Sequence, residues 1–196
     1  MRVIGEYVKS ATLVLLSLLL IACVDIAKDY FPEWKELDPI EREWYSEHLR
    51  AAGEEPIKLP PENEVFRFTW LRSFHAPIVV RVICDEKCIL NAKQLSGAGG
   101  YSPGRVQLEN RRVLTDVEMK ELKALANRLE GWVYKPDEEI FGMDGAQWIL
   151  ERAKGDNYQA WNLWSPGGEK AAEIYVDMCL YMLNLTNFTM EKGDVY

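Results

Sequence analysis

The stretch Glu64-Val-Phe-Arg-Phe-Thr-Trp-Leu71 decides the fold, because apolar and polar side chains alternate along it. Its aromatic residues take every second position, and Arg67 and Thr69 lie between them. Successive side chains of a β-strand point to opposite faces of a sheet, so an alternating stretch predicts a strand that is buried on one face. We therefore expect the aromatic residues in a core and Arg67 and Thr69 in solvent.

Similar stretches on its C-terminal side supply the rest of the predicted sheet. Short connections separate them, which favours antiparallel pairing of neighbouring strands. The predicted strands cover residues 64–71, 77–84, 88–95, 105–113, 146–152 and 158–164. Together with the helices below, they predict an α+β fold: an antiparallel sheet of about five or six strands with two or three helices packed on one face.

The helices are predicted from their start signals and their apolar periodicity. Asp38 can cap a helix whose first turn contains Pro39. Thr115 and Glu118 have the spacing of a capping box at the start of a second helix. A last helix is expected over about 169–185, where apolar residues fall on one face.

The N-terminus follows the plan of a secretory signal, with basic Arg2 and Lys9 before an apolar run over about 11–21. A transmembrane helix needs about 20 apolar residues, so this run is short for a membrane span. The segment Leu20-Ile21-Ala22-Cys23 resembles the lipobox of bacterial lipoproteins. The resemblance implies diacylglycerol on the Cys23 thiol, cleavage before Cys23 and acylation of the new amino group. An ordinary signal peptide, or an uncleaved anchor with a chance cysteine, is the alternative.

This interpretation divides the chain into a lipoprotein signal peptide (1–22), a lipidated tether (23–38) and a single α+β domain (39–196). It places the protein in the bacterial cell envelope, held to a membrane by its lipid anchor and facing the periplasm. Val24, rather than aspartate, follows Cys23, which slightly favours the outer membrane by resemblance to lipoprotein sorting in some bacteria. The formal net charge of −8 disfavours nucleic acid as a partner and direct adsorption to anionic lipid.

Cys84 and Cys88 flank a predicted hairpin turn, where they can face each other across two strands. Disulfide bonds persist in exported proteins, so we expect a Cys84–Cys88 disulfide bond, with two free thiols as the alternative. The spacing is not that of the C-x-x-C redox motif, and the other cysteines and histidines are too scattered for a zinc site. Cys179 is expected in the core. We predict no metal and no cofactor.

The C-terminal half contains several short motifs. In chain order they are Gly99-Gly-Tyr-Ser-Pro-Gly104, Leu114-Thr-Asp-Val-Glu118, Asp144-Gly-Ala-Gln-Trp-Ile-Leu-Glu151 and Trp164-Ser-Pro166. Together they resemble a group of uncharacterised bacterial proteins, many of them exported. The resemblance covers about residues 97–185, and it implies a common fold without implying an activity.

The segment Gly100-Tyr-Ser-Pro-Gly104 matches the G-x-S-x-G pattern of a hydrolase nucleophile elbow. The residue after that serine must donate its backbone N–H to the oxyanion, and Pro103 has no N–H. The segment also leads into a predicted strand instead of a helix, and His48 and His75 both precede the serine. We therefore interpret it as a glycine-rich connection.

Aromatic and acidic residues supply the remaining candidate site. Three of the seven tryptophans lie on the hairpin predicted over 146–164. One interpretation of these tryptophans is an exposed aromatic surface that stacks on a sugar ring or anchors a protein partner. The alternative is that they pack in the core. Only one of the neighbours Trp148 and Ile149 is expected in the core, and Glu151 is expected in solvent. The candidate binding surface consists of Asp144, Trp148, Glu151, Tyr158, Trp161 and Trp164.

These observations predict a lipid-anchored periplasmic binding or interaction protein without catalytic activity. An envelope accessory protein and a toxin-immunity protein are examples of this class, and a protein is the expected partner. The alternative is an enzyme that acts on an envelope polymer through an acidic pair drawn from Asp137, Glu138, Glu139 and Asp144. We favour a solvated loop for that acidic cluster.

Overall fold

The computed structural model describes residues 28–31, 33–134, 144–190, 193, 195 and 196. The described residues form six strands: β1 (Glu64–Arg72), β2 (Ile78–Cys84), β3 (Cys88–Leu95), β4 (Val106–Val113), β5 (Ala146–Lys154) and β6 (Asn157–Trp164). They also form three α-helices: α1 (Pro39–Ala51), α2 (Asp116–Leu129) and α3 (Glu173–Leu185). All strands belong to one sheet in the order β4-β3-β2-β1-β5-β6, and every neighbouring pair is antiparallel. The predicted α+β fold with an antiparallel sheet is confirmed.

The helices cover both faces of the sheet. α2 and α3 pack on the face that carries Phe66, Phe68 and Trp70, and together they form the larger hydrophobic core. α1 packs on the opposite face, where its apolar side chains form a second core with Val79 and Ile149. Two helices therefore share one face, as predicted, and the first helix lies on the other.

The central strands β1 and β5 are consequently buried on both faces. Arg67 and Thr69, which the alternating pattern placed in solvent, are fully buried, and Ile149 is as buried as its neighbour Trp148. The expectations of one buried face, and of only one core residue at 148 and 149, were wrong. The alternation of apolar and polar residues in a strand shows the polarity of each face. It carries no information about whether a helix packs over the polar face.

The tether was predicted to end at residue 38, but the folded domain begins before that point. Tyr30, Phe31 and Leu37 are buried in the second core, against α1. Arg42 of α1 holds this segment in place, because its Nη1 donates a hydrogen bond to the Phe31 carbonyl oxygen at 2.6 Å. The C-terminal part of the predicted tether is therefore part of the domain.

Two helix starts have the predicted caps. The Asp38 side chain accepts hydrogen bonds from the first backbone N–H groups of α1, and Pro39 lies in its first turn. Thr115 and Glu118 form a reciprocal capping box at the start of α2. Among the described helices, none combines the length and the apolar character that crossing a membrane requires.

The β2–β3 hairpin is closed by a disulfide bond. Cys84 and Cys88 are cross-strand partners at its turn, and their sulfur atoms are bonded. The third described cysteine, Cys179, is a buried free thiol in α3. The lipobox with Cys23 and the acidic residues 137–139 lie outside the described residues.

Candidate binding site

Several connections meet at one end of the sheet. β1 ends there and continues through Ser73 and Phe74, and the glycine-rich connection from β3 to β4 lies at the same end. β5 begins and β6 ends there as well, because neighbouring strands are antiparallel. Tyr101, Asp144 and Trp164, which belong to three different sequence motifs, therefore line the same cleft.

Hydrogen bonds around Ser73 hold these connections together. The Ser73 N–H donates to the Gly145 carbonyl oxygen at 2.9 Å, and the Gly100 N–H donates to the Ser73 carbonyl oxygen at 3.2 Å. The Gly145 N–H donates to Ser73 Oγ at 3.1 Å. The Trp44 indole N–H donates to the Gly99 carbonyl oxygen at 2.8 Å, which ties α1 to the glycine-rich connection. These bonds make a fixed frame for the cleft.

Two glycines permit this close packing. A Cβ atom on Gly99 would lie 2.5 Å from the backbone nitrogen of Arg72, and a Cβ atom on Gly145 would lie 2.5 Å from the ring of Trp164. Both distances are far below a van der Waals contact, so a side chain at either position would push the frame apart. These motif glycines are therefore explained by packing.

Aromatic side chains dominate the cleft that this frame encloses. The aromatic cleft, as we name it, has a volume of about 370 Å³ and is lined by Trp44, Ser73, Phe74, Gly100, Tyr101, Asp144 and Trp164. Phe74 and Tyr101 form its rim, with ring centroids 6.1 Å apart. They are 58% and 64% exposed, so both rings offer apolar surface to a partner.

Two of the described residues that line the aromatic cleft, Ser73 and Asp144, carry a hydroxyl or a carboxylate on a side chain without an aromatic ring. The Ser73 hydroxyl already donates to the Gly145 carbonyl oxygen at 3.1 Å, so it belongs to the frame. Asp144 is exposed, and it is the one carboxylate among the described residues that line the cleft. The described lining of the cleft therefore offers stacking surfaces and one carboxylate that can accept hydrogen bonds.

Trp148, which was included in the candidate binding surface, lies in the core. Its side chain is fully buried, and its ring centroid is 5.6 Å from those of both Phe68 and Trp70. Its indole N–H donates to the Tyr196 carbonyl oxygen at 2.9 Å. The core alternative is therefore correct for Trp148.

Glu151 was expected in solvent, and the structure corrects this expectation. Its carboxylate is fully buried and accepts hydrogen bonds from Arg67 Nε at 2.6 Å and Arg67 Nη2 at 2.8 Å. The Tyr158 hydroxyl donates to the same carboxylate at 2.7 Å. Burial, and then the charge of Glu151, raise the pKa of Tyr158, so its phenol stays a neutral donor. A buried carboxylate is tolerated when it is paired and hydrogen-bonded, as Glu151 is.

Trp161 lies on the edge strand β6, away from the residues that line the aromatic cleft. It is half-buried, and its ring centroid is 6.5 Å from that of Trp132. Together with Tyr158 and Trp34 it lines a second groove of about 290 Å³, which is flanked by two glutamates of the segment before α1. The candidate residues are therefore divided among three places, and only Asp144 and Trp164 reach the aromatic cleft.

Three aromatic residues of the cleft were missed by the sequence analysis. Phe74 and Tyr101 lie in connections rich in glycine, serine and proline, where a large aromatic side chain has little to pack against. That combination is a usable signal of an exposed ring. Trp44 carries no such signal, because it fits the apolar periodicity of its helix.

The glycine-rich connection does not form a nucleophile elbow. Its two ends are joined by a hydrogen bond from the Gly97 N–H to the Pro103 carbonyl oxygen at 3.0 Å, and it leads into β4, as expected of a connection between strands. In the part of the chain that the structure describes, no three side chains of His, Cys, Asp and Glu are grouped to hold a metal ion.

No protein-family model, no curated protein and no solved structure matches this chain.

Proposed function

We propose that this protein is a lipid-anchored binding protein of the bacterial cell envelope, which holds a protein partner at the aromatic cleft. The exposed ring pair of Phe74 and Tyr101 is the observation that supports the binding role. The lipobox-like segment that ends at Cys23 supports the anchor.

The construction of the aromatic cleft favours binding. Aromatic side chains supply much of the energy of protein interfaces, because they cover a large area with few rotatable bonds. The hydrogen-bonded frame already fixes the connections that carry Phe74 and Tyr101, so binding requires little further ordering. Asp144 at the cleft suits a partner that presents a basic or hydrogen-bond-donating group.

The described carboxylates fit the enzymatic alternative less well. Glycan hydrolysis by an acidic pair needs two carboxylates about 5 to 10 Å apart that both reach the substrate. Glu151 is committed to Arg67 inside the fold, and Asp144 is the single described carboxylate at the cleft. The binding role needs only the rings and one acceptor.

Removal of each exposed ring tests the binding role. Tyr101→Ala and Phe74→Ala should each lower the affinity for the partner about thirtyfold or more, because interface hot spots cost about 2 kcal/mol or more when truncated. Affinity is measured by titration of the partner that co-purifies with the full-length chain from solubilised membranes. Val117→Ala removes an exposed apolar side chain of α2 outside the cleft and should leave the affinity unchanged. Equal affinity of both ring variants and wild type would contradict the proposal.

Metabolic labelling tests the anchor. Cells given a palmitate analogue should label the wild-type protein, and Cys23→Ser should abolish both the label and the sedimentation of the protein with membranes. Cys179→Ser changes a buried thiol and should retain both. A labelled Cys23→Ser protein would show that the lipid is attached elsewhere, and an unlabelled wild type would contradict the anchor.

A further inference from the structure

The outer edge of β4 is open in the described part of the chain. β4 is the first strand of the sheet and pairs there with β3 only. Six of its eight residues are exposed, including the run 106–109. An edge strand presents a row of backbone N–H and C=O groups that can pair with another strand, and proteins usually protect such edges.

The side chains of β4 make this strand complementary to itself. Opposite residues of an antiparallel pair point to the same face, so a two-fold axis that joins two copies of β4 must pass through a residue. With the axis at Asn110, Glu109 of each copy lies opposite Arg111 of the other. Both side chains are exposed, and opposite charges that face each other across two strands are stabilising. Leu108 pairs with Arg112 in this register. The regular pairing ends there, because a β-bulge at Gln107 interrupts the alternation of β4.

The neighbouring registers are disfavoured by charge. An axis at Glu109 would place two glutamates directly opposite each other, and an axis at Arg111 would do the same with two arginines. Like charges directly opposite each other are destabilising. Charge therefore selects the register that is centred on Asn110.

We propose that the protein forms a symmetric homodimer in which two β4 strands pair about Asn110 and join the two sheets into one. A second copy is the occupant of this edge because the charge pattern of the strand complements itself, which a closed two-fold interface requires. The aromatic cleft contains no residue of β4, so this proposal does not depend on the proposed function.

Charge reversal tests the pairing. Sedimentation equilibrium of the full-length chain in detergent, over a wide range of concentrations, should show a monomer and a dimer in equilibrium. Glu109→Arg and Arg111→Glu should each weaken the dimer at least about fivefold, because each places like charges opposite each other at two symmetric positions. The double variant restores complementarity and should dimerise as wild type does. A wild-type monomer at all concentrations, or a dimer that neither single reversal weakens, would overturn the proposal.

Cysteine cross-linking tests the register independently. Cα atoms that face each other across an antiparallel pair are about 4.5 to 5.5 Å apart, which a disulfide bond spans. Asn110→Cys should therefore give a disulfide-linked dimer under mild oxidation. Gln107→Cys should remain unlinked, because Gln107 lies on the opposite side of the axis from its own copy in this register. Linkage of Gln107→Cys with no linkage of Asn110→Cys would overturn the register and with it the proposal.

Discussion

Arg67 and Glu151 form a bidentate ion pair in which both side chains are fully buried. The two residues are direct cross-strand partners, so the pair joins β1 to β5 at the centre of the sheet. Arg67 also donates to the carbonyl oxygens of Tyr30 at 3.0 Å and Glu55 at 3.2 Å. A single guanidinium therefore holds together two strands and the segments on either side of α1.

Replacement of the carboxylate should be strongly destabilising. Glu151→Gln leaves the Arg67 charge buried without a counter-charge, and breaking a buried pair in this way costs about 3 to 5 kcal/mol. Urea denaturation measures this change in the free energy of unfolding. Tyr158→Phe is the matched control, because it removes one hydrogen bond from the same carboxylate, leaves the ion pair intact and should cost less, about 1.5 to 3 kcal/mol. A Glu151→Gln protein as stable as wild type would contradict the importance of the pair.

The buried indole of Trp148 should also be essential for stability. Trp148→Ala leaves a cavity between Phe68 and Trp70, and truncation of a core tryptophan costs about 3 to 5 kcal/mol. The melting temperature should fall accordingly. Trp161→Ala, on the neighbouring strand, removes a half-buried ring and should cost less. Equal melting temperatures for the two variants would contradict the core position of Trp148.

Local sequence patterns were sufficient to predict the strands, the hairpins and the helix caps. Thr115 and Glu118 are three residues apart, so their reciprocal cap is visible in the sequence itself. The two cores could not be predicted in this way, because the burial of Arg67 depends on α1 and on Tyr30, which lie outside the strand and earlier in the chain. Nothing in the alternation of β1 reports those contacts.

The aromatic cleft was predictable only in part for the same reason. Asp144 and Trp164 belong to sequence motifs, but their neighbours in the cleft come from α1 and from two other connections. The order of strands brings these segments together, and the order was not deduced from the sequence. Glu151 was misjudged because its partner, Arg67, lies 84 residues away in the chain.

Lowering the pH should destabilise the N-terminus of α2, because Glu118 becomes protonated there. Hydrogen bonds from Arg112 lower the pKa of this carboxyl from 4.5 to about 2. A lowered folded-state pKa means that the stabilisation is complete above about pH 4.5 and is lost as the pH falls towards about 2. The side chains are partly exposed, so we expect Glu118→Gln to cost only about 1 kcal/mol at pH 7.

The difference in unfolding free energy between wild type and Glu118→Gln should therefore shrink as the pH is lowered from about 5 to about 2, which spans the two pKa values of this carboxyl. Urea denaturation at several pH values measures it. Glu121→Gln, on an exposed position of the same helix, should have little effect at any of them. A Glu118→Gln difference that is independent of pH would contradict the role of its charge.

The number of reactive thiols tests the hairpin disulfide and the anchor together. Of the four cysteines, Cys84 and Cys88 are bonded to each other and Cys179 is a buried thiol. If Cys23 carries a lipid, an alkylating reagent in denaturant should label one cysteine per chain before reduction and three after it. Mass spectrometry of the protein purified from membranes gives both numbers, and Cys179→Ser should lower each by one. Three labels before reduction would contradict the disulfide, whereas four after reduction would contradict the lipid on Cys23.

The hairpin loop is short, so its closure by the disulfide bond should stabilise the fold by less than the ~3 kcal/mol of a 15-residue loop. The Cys84→Ser variant should therefore still fold.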